Sequence, residues 1–435
     1  MRISEKPKVT ERLAVKNFFT VDEFDWEIKE FNVLTGAMGS GKSVCIKLLW
    51  FCERILHTLF FYKAITIDDL TTEAVSDRAA AAFQETFYLG NFDFSKTEIK
   101  YKYSCNGNAF DLQAVWDENK KRLNWSSSYI DNRLKKWQEN FGNEKTKTRF
   151  DISIIVSNQI YKAITSDFHD TFPIGTLFIP AARAIATITD NTDFMDPFVN
   201  RFIKTRKWFE KNQKNIVDKD INRILRSTNI RYDDKQGLVV TLQNGCDITP
   251  QFLSSGQQEL LYLTLMINHL IQTVFNIEDS PVSYTTRTSI YIEEPEAHSF
   301  PQNQKATMEY IVKAFRLFKE SRKRNDRFFI TTHSPYVLNV INNMLYKGHL
   351  IKEVENCSDN TKKTLIQSDI EKLDFSHLAA DEISANFINN KVSNMVNNSK
   401  NGVYLYESMI EEISKKIDDD FENVKNLVRE LERGQ

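Results

Sequence analysis

Phe31-Asn32-Val33-Leu34-Thr35-Gly36-Ala37-Met38-Gly39-Ser40-Gly41-Lys42-Ser43-Val44-Cys45-Ile46 is the stretch on which the reading of this chain turns. Phe31 to Thr35 is a short apolar run of strand type, and it leads directly into a glycine-rich turn. From Ser43 the pattern VCIKLLWFCERILHTLFF contains neither Pro nor Gly and recurs at helical spacing, so the turn opens a largely buried helix. Between strand and helix, Gly36 to Ser43 satisfies G-x-x-x-x-G-K-[ST], and that setting is what gives the pattern meaning. Its glycines let backbone N–H groups converge on phosphate oxygens, and the helix N-terminus adds partial positive charge. Lys42 is expected to reach the β- and γ-phosphates of ATP, and the Ser43 hydroxyl to bind Mg²⁺. The competing reading is an ordinary glycine turn before a helix, which the strand and helix on either side disfavour.

Three later segments carry related chemistry. Ser289 to His298, SIYIEEPEAH, is an apolar strand ending in consecutive carboxylates. Two acids at a strand tip suit metal-dependent hydrolysis, with Glu293 orienting Mg²⁺ through water and Glu294 polarising the attacking water. Alone this could be a solvated acidic turn. Phe252 to Glu259, FLSSGQQE, precedes the apolar helix LLYLTLMINHLI. Ser254 suits its N-cap, and Ser254, Ser255, Gly256 and Gln257 would present free N–H groups to an anion, although a capped core helix reads the same way. Arg327 to Pro335, RFFITTHSP, is a strand ending in His333, one strand-helix-strand interval after the glutamates and placed to hydrogen-bond a γ-phosphate.

Taken in order, GAMGSGKS, LSSGQQE, YIEEPEAH and ITTHSP resemble the Walker A, signature, Walker B and switch-histidine motifs of ABC ATPases. The wording EEPEAH and TTHSP is similar to the SMC-like branch, which includes Rad50, RecF and overcoming-lysogenization-defect ATPases, over roughly residues 10 to 350. The resemblance implies an α/β fold: an ABC-type P-loop core with a mixed sheet, a short helical insertion and a helical C-terminal tail. It also implies that Ser254 and Gly256 act in trans, so that ATP is sandwiched in a homodimer or higher homo-oligomer. Glu293 stands where many ABC proteins have Asp, and no Q-loop glutamine is assignable. With Ile179-Pro180-Ala181, the motifs look most like ATPase subunits of bacterial anti-phage systems such as PARIS, ahead of Septu and retron-associated ATPases. That family implies a scaffold holding a separate Toprim-type effector nuclease, released when a phage trigger protein is sensed.

Around the motifs, Leu13 to Phe18 and Phe24 to Ile28 read as strands, Arg78 to Phe87 as helix, and Glu98 to Ser104 with Ala109 to Val115 as a hairpin about Asn106-Gly107. The lysine-rich stretch Trp116 to Phe150 has a helical segment but no sustained heptads, so no long coiled coil is expected. Gly175 to Pro180 reads as a buried strand, Pro197 to Arg226 as helical, and Gly237 to Gln243 as part of a strand pair. Helices are expected over Ala379 to Asn398 and Tyr404 to Arg433. The organisation this gives is an N-terminal ATPase lobe over 1–115, a helical insertion region over 116–235 interrupted by a core strand near 175–184, a C-terminal ATPase lobe over 236–350, and a helical partner-contact tail over 351–435.

Bulk properties set outer bounds. At 435 residues and 41% hydrophobic content the chain can bury a sizeable core. Five scattered cysteines without a CxxC pair argue against a disulfide framework or zinc site and fit a reducing cytoplasm. No apolar run approaches a membrane span or a signal-peptide core, so a soluble, unprocessed cytoplasmic chain is expected. A net charge of −2 does not advertise nucleic acid. Direct DNA contact would need a local patch: Lys204, Arg206 and Lys207 with Trp208, Lys120-Lys121-Arg122 with Trp125, or Arg322-Lys323-Arg324. Such contact distinguishes a rival repair ATPase of RecF or Rad50 type, while a third reading uses ATP only to hold an oligomer together. Asp418-Asp419-Asp420 reads as a solvated helix face rather than a nuclease metal site.

Overall fold

Strand after strand at the start of the chain alternates buried and exposed residues, the pattern of a sheet with one covered face. The computed structural model describes residues 8–60, 68–87, 92–141, 149–168, 171–173, 175–187, 196–211, 215–216, 218–276, 287–320, 326–389, 391–399 and 402–405. In it β1 (Val9–Phe18) and β2 (Val21–Ile28) pair antiparallel, and β3 (Phe31–Gly36) runs into α1 (Lys42–Phe60), followed by α2 (Thr72–Phe87). The expected hairpin is β4 (Glu98–Cys105) and β5 (Asn108–Asp117); Asn106 and Gly107 take φ of 49° and 92°, as a tight two-residue turn demands. Residues expected to open a helical insertion instead extend the sheet by a further strand, β6 (Arg122–Ser126), which pairs with β5. Then come α3 (Ser128–Phe141), α4 (Arg149–Phe168) and β7 (Gly175–Ile179).

The stretch expected to be helical from Pro197 to Arg226 contains α5 (Pro197–Lys211), a short strand β8 (Asn215–Ile216) and α6 (Lys219–Leu225). A small sheet of β8, β9 (Ser227–Asp233), β10 (Gly237–Leu242) and β11 (Asp247–Ile248) leads to α7 (Ser255–Asn276). The remaining core is β12 (Thr288–Glu293), α8 (Pro301–Glu320), β13 (Arg327–Thr332), α9 (Pro335–Glu355) and α10 (Asn360–Lys372).

The helix expected over Ala379 to Asn398 is a correction. This segment forms β14 (Ile383–Asn389), β15 (Lys391–Asn394) and β16 (Val396–Ser399), with β17 (Gly402–Leu405) pairing to β16. β14 lies parallel to β3, Ile388 opposite Gly36. Its Ile, Phe, Ser and Asn residues are poor helix formers, and burial inside a sheet decides for strand. Beyond Leu405, the second expected tail helix and Asp418 to Asp420 lie outside the described residues.

The main sheet is 11-stranded, in the order β6-β5-β4-β1-β2-β15-β14-β3-β13-β12-β7. Its parallel half, β14 to β7, has helices on both faces, which is why its strands are buried along nearly their whole length rather than alternating. Tyr291 and Phe329 stack at 4.6 Å on the α1 face, while Ile290, Ile292, Phe328 and Ile330 enter the core on the opposite face with α7, α8 and α9. The period-2 geometry of strands thus divides one apolar run between two cores. Cys45, Cys52 and Cys105 are buried free thiols, and no helix among the described residues is long and apolar enough to cross a membrane.

Candidate functional site

Parallel pairing brings the motif loops to one edge of the sheet. Thr35 pairs with Thr332, Glu293 with Thr331, and Ile292 with Ile179, so Gly36, Glu294, His333 and Pro180 all leave the sheet at the carboxyl ends of neighbouring strands. That edge is where open α/β sheets place their ligand sites.

The first loop turns tightly over Gly36 to Gly41 before α1 starts. Gly36 has φ 151°, and a Cβ there would stand 2.3 Å from the Ile388 carbonyl oxygen, so only glycine lets β14 approach so closely. Gly39, Ser40 and Gly41 complete the curve, with Ser40 N–H donating to the Ala37 carbonyl at 3.2 Å. Lys42 is buried, and its Nζ donates to the carbonyls of Gly36 and Ala37, each at 2.8 Å. Burial lowers its pKa, and the charges of Glu294 and Glu296 oppose that shift. Met38, at the tip, is 90% exposed.

Glu293 ends β12 and is buried. Its Oε2 accepts from the Ala181 N–H at 3.2 Å, and Oε1 has no full hydrogen-bond partner. Burial raises its pKa, against the opposing pull of Lys47, of the Ser43 hydroxyl and of the Ala181 N–H. A hydroxyl at the helix start beside a buried carboxylate with an open oxygen is a donor set that fits Mg²⁺, a hard cation that takes one or two protein oxygens plus waters and phosphates. The two proposed metal residues, Ser43 and Glu293, are therefore together. The loop after β7 reads Pro180-Ala181-Ala182-Arg183 and meets Glu293 through the backbone N–H of Ala181.

Glu294 takes the left-handed conformation, φ 44°, which costs a non-glycine residue about 1–2 kcal/mol. Its N–H donates to the Thr331 carbonyl at 2.9 Å and its side chain is 31% exposed, 3.6 Å from His333 Nδ1. Glu296, not singled out by sequence, is buried like Glu293. Its Oε1 accepts from the Thr332 hydroxyl at 2.7 Å and from the His333 N–H at 2.9 Å, fixing the turn that presents the histidine. Ser334 caps α9 behind it, its hydroxyl accepting from the Val337 N–H.

Ser254 and Ser255 start α7, the hydroxyl of Ser254 donating to Gln257 Oε1 at 2.9 Å. Gln257 Nε2 in turn donates to the Leu225 carbonyl at 2.7 Å. A Cβ on Gly256 would lie 2.6 Å from the His298 carbonyl oxygen, so the serine-bearing helix start is packed on the turn that follows the glutamates. Sequence reasoning also passed over Arg183. Fully buried, it donates to the carbonyls of Glu259, Pro180, Glu293 and Glu294. The signal was available: a guanidinium directly after a buried strand must find several acceptors.

The basic segments weighed for DNA do not form open patches where they are described. Lys120 pairs with Glu73 at 2.8 Å, Lys121 with Glu118 at 2.8 Å and Arg122 with Asp77, while Trp125 is buried. Arg206 is buried against the Ala186 carbonyl and Glu210, leaving Lys204 exposed; the side chains of Lys207 and Trp208, and the segment Arg322 to Arg324, lie outside the described residues.

No curated protein matches the chain in sequence. Among solved structures, an SMC head bound to the C-winged helix domain of ScpA is similar at 12% identity and TM-score 0.37, over 76% of this chain and 91% of that one. The recombination mediator protein RecF of the RecFOR pathway, in the structure titled RecF-ATPrS, is similar at 11% identity and TM-score 0.31, over 89% of this chain and 98% of that one. A family model described as the AAA ATPase domain (AAA_15) matches residues 10–338, a span that takes in all four motif loops and most of the sequence. The chain belongs to the AAA_15 family of AAA ATPase domains.

Proposed function

We propose that the chain binds Mg²⁺-ATP at the loop edge of its parallel strands and becomes a competent hydrolase only when a second copy covers that edge. One observation carries this reading: in or next to each motif segment a large apolar side chain stands in solvent. Met38 is 90% exposed, Phe252 73%, Phe300 74% and Tyr336 50%. Exposed apolar side chains gathered beside polar catalytic groups are the mark of an interface.

In this arrangement Lys42 leaves its two loop carbonyls for the β- and γ-phosphates, and the backbone N–H groups of the loop and of the α1 start hold the remaining phosphate oxygens. Ser43 and Glu293 hold Mg²⁺, which when bound neutralises charge on the phosphates. Glu294 orients the attacking water and accepts its proton, and His333 faces the γ-phosphate from the adjacent strand end. The second copy supplies the hydroxyl of Ser254 and the N–H groups of Ser255, Gly256 and Gln257. The lobe over 1–115 supplies Lys42 and Ser43 and the lobe over 236–350 supplies Glu293, Glu294, His333 and Ser254, while the insertion region 116–235 lends β6 and β7 to the main sheet and the tail 351–435 lends it β14 and β15.

The wording EEPEAH and TTHSP with Ile179-Pro180-Ala181 supports a finer role in anti-phage defence of the PARIS kind. In that role the nucleotide-bound oligomer is a cytoplasmic scaffold that holds a separate Toprim-type nuclease and releases it when a phage protein is sensed. Turnover of ATP by purified protein, with and without duplex DNA, tests the core of the proposal. Hydrolysis abolished in Lys42→Ala and indifferent to DNA is expected. DNA-stimulated hydrolysis with steep salt dependence would move the assignment to a repair ATPase. Co-expression with the product of a neighbouring nuclease gene, followed by co-purification in ATP, tests the scaffold role; no co-purification would refute it.

A further inference from the structure

Arg183 contacts three parts of the fold at once, and no part of the mechanism above uses it. Its guanidinium is fully buried. Nε donates to the Glu259 carbonyl at 2.7 Å and lies 3.3 Å from Glu259 Oε2, within the first turns of α7. Nη1 donates to the Glu293 carbonyl at 2.9 Å and the Pro180 carbonyl at 3.2 Å, and Nη2 to the Glu294 carbonyl at 3.1 Å. The arginine therefore grips the peptide groups on both sides of the strained Glu294 backbone with one end of its fork, and the serine-bearing helix with the other.

We infer that Arg183 is a positioning residue that couples the two half-sites carried by each chain, transmitting engagement of Ser254 with a second copy's nucleotide to the turn that aims the chain's own Glu294. This inference rests on the sandwich reading of the preceding section. The Ser254 helix serves the site opposite, whereas Glu293 and Glu294 serve the site of their own chain, and Arg183 bonds both. A shift of the start of α7 on closure must move the Glu259 carbonyl, and with it the guanidinium and the two glutamate carbonyls.

Two features point to coupling rather than simple support. A buried ion pair contributes little net stability relative to apolar packing, so Arg183 and Glu259 are poorly explained as a stabilising device. Glu259 Oε2 is buried without a full hydrogen bond, so the pair is not at its tightest geometry and closure can tighten it. Lysine could not replace this link, because a single ammonium cannot reach acceptors on three segments with fixed directions.

The test compares wild type, Arg183→Lys and Arg183→Gln as full chains. Equilibrium binding of a fluorescent ATP analogue, steady-state hydrolysis against ATP concentration, and thermal melting are measured for each. Analogue Kd within about twofold of wild type, kcat lower by about tenfold or more, and loss of any sigmoidal dependence on ATP are expected. Where Arg183→Lys does not fold, Arg183→Gln carries the test, because its neutral amide brings no buried charge and cannot bond the Glu259, Glu293 and Glu294 carbonyls together. Wild-type kcat and wild-type ATP dependence in either folded Arg183 variant would overturn the inference, as would a melting temperature that falls while kcat per folded molecule is unchanged. Failure of the ATPase reading itself looks different: wild type would then neither bind the analogue nor hydrolyse ATP, and Lys42→Ala would match it.

Discussion

Glu293→Gln should make the Mg²⁺-free protein more stable while weakening its response to Mg²⁺-ATP. Glu293 is buried, one carboxylate oxygen bonds only the Ala181 N–H, and the other has no full partner. An unsatisfied buried polar group costs about 1–3 kcal/mol. Glutamine has the same length, keeps an oxygen for Ala181 and offers an amide N–H₂ toward the Ser43 hydroxyl. The pH dependence follows from the direction of the pKa shift. Burial raises the folded-state pKa of Glu293 above that of an unfolded glutamate, about 4.3, so the folded form holds this proton more tightly. That contribution to stability is complete below about pH 4 and is lost as pH rises through the folded-state pKa. Glutamine has no such loss. Urea unfolding in EDTA, followed by circular dichroism from about pH 4 to about pH 8, should show the two proteins alike at the acid end and the variant more stable by about 1–3 kcal/mol at the neutral end. Adding Mg²⁺-ATP should reverse the order, because wild type, with both metal-holding groups, gains more binding stabilisation than the variant. A variant less stable than wild type at about pH 7 without metal would refute the reasoning, since it would mean that the ionised carboxylate is itself a net stabilising contact.

Further outcomes follow from individual contacts. Lys42→Ala removes a charge-assisted phosphate contact of about 1.5–3 kcal/mol, so ATP affinity measured by calorimetry should fall roughly 10- to 150-fold. Glu294→Gln should bind ATP with unchanged affinity and lose about 10²- to 10⁴-fold in kcat in a phosphate-release assay; wild-type turnover would remove Glu294 from the role of base. Gly256→Ala, whose Cβ would meet the His298 carbonyl oxygen at 2.6 Å, should displace the start of α7, leaving ATP binding by the single chain intact while kcat falls.

Much of the site was legible because its chemistry is local in sequence. The spacing from Gly36 to Ser43 dictates a phosphate-type turn between strand and helix, and an apolar strand ending in Glu293-Glu294 places acids at a strand tip whatever the surroundings. What could not be read was set by contacts remote in sequence. Glu296 stands two residues from Glu294, yet its part, fixing Thr332 and His333, exists only because β12 and β13 are neighbours. Arg183 gains its partners from segments 76 and 110 residues away. Glu53, buried on α1, accepts hydrogen bonds from Arg287, Ser289 and Tyr291, the first of them 234 residues away. The strand β14 reads as helix from sequence because its burial between β3 and β15 is a tertiary property, not a local one.

The sandwich is tested most directly by molar mass in solution. Sedimentation equilibrium of Glu294→Gln in Mg²⁺-ATP should give twice the 50.7 kDa of one chain or a higher even multiple, returning toward one chain when nucleotide is removed or Ser254→Arg is added. A single-chain mass with ATP demonstrably bound, or an assembly indifferent to both nucleotide and Ser254, would contradict it.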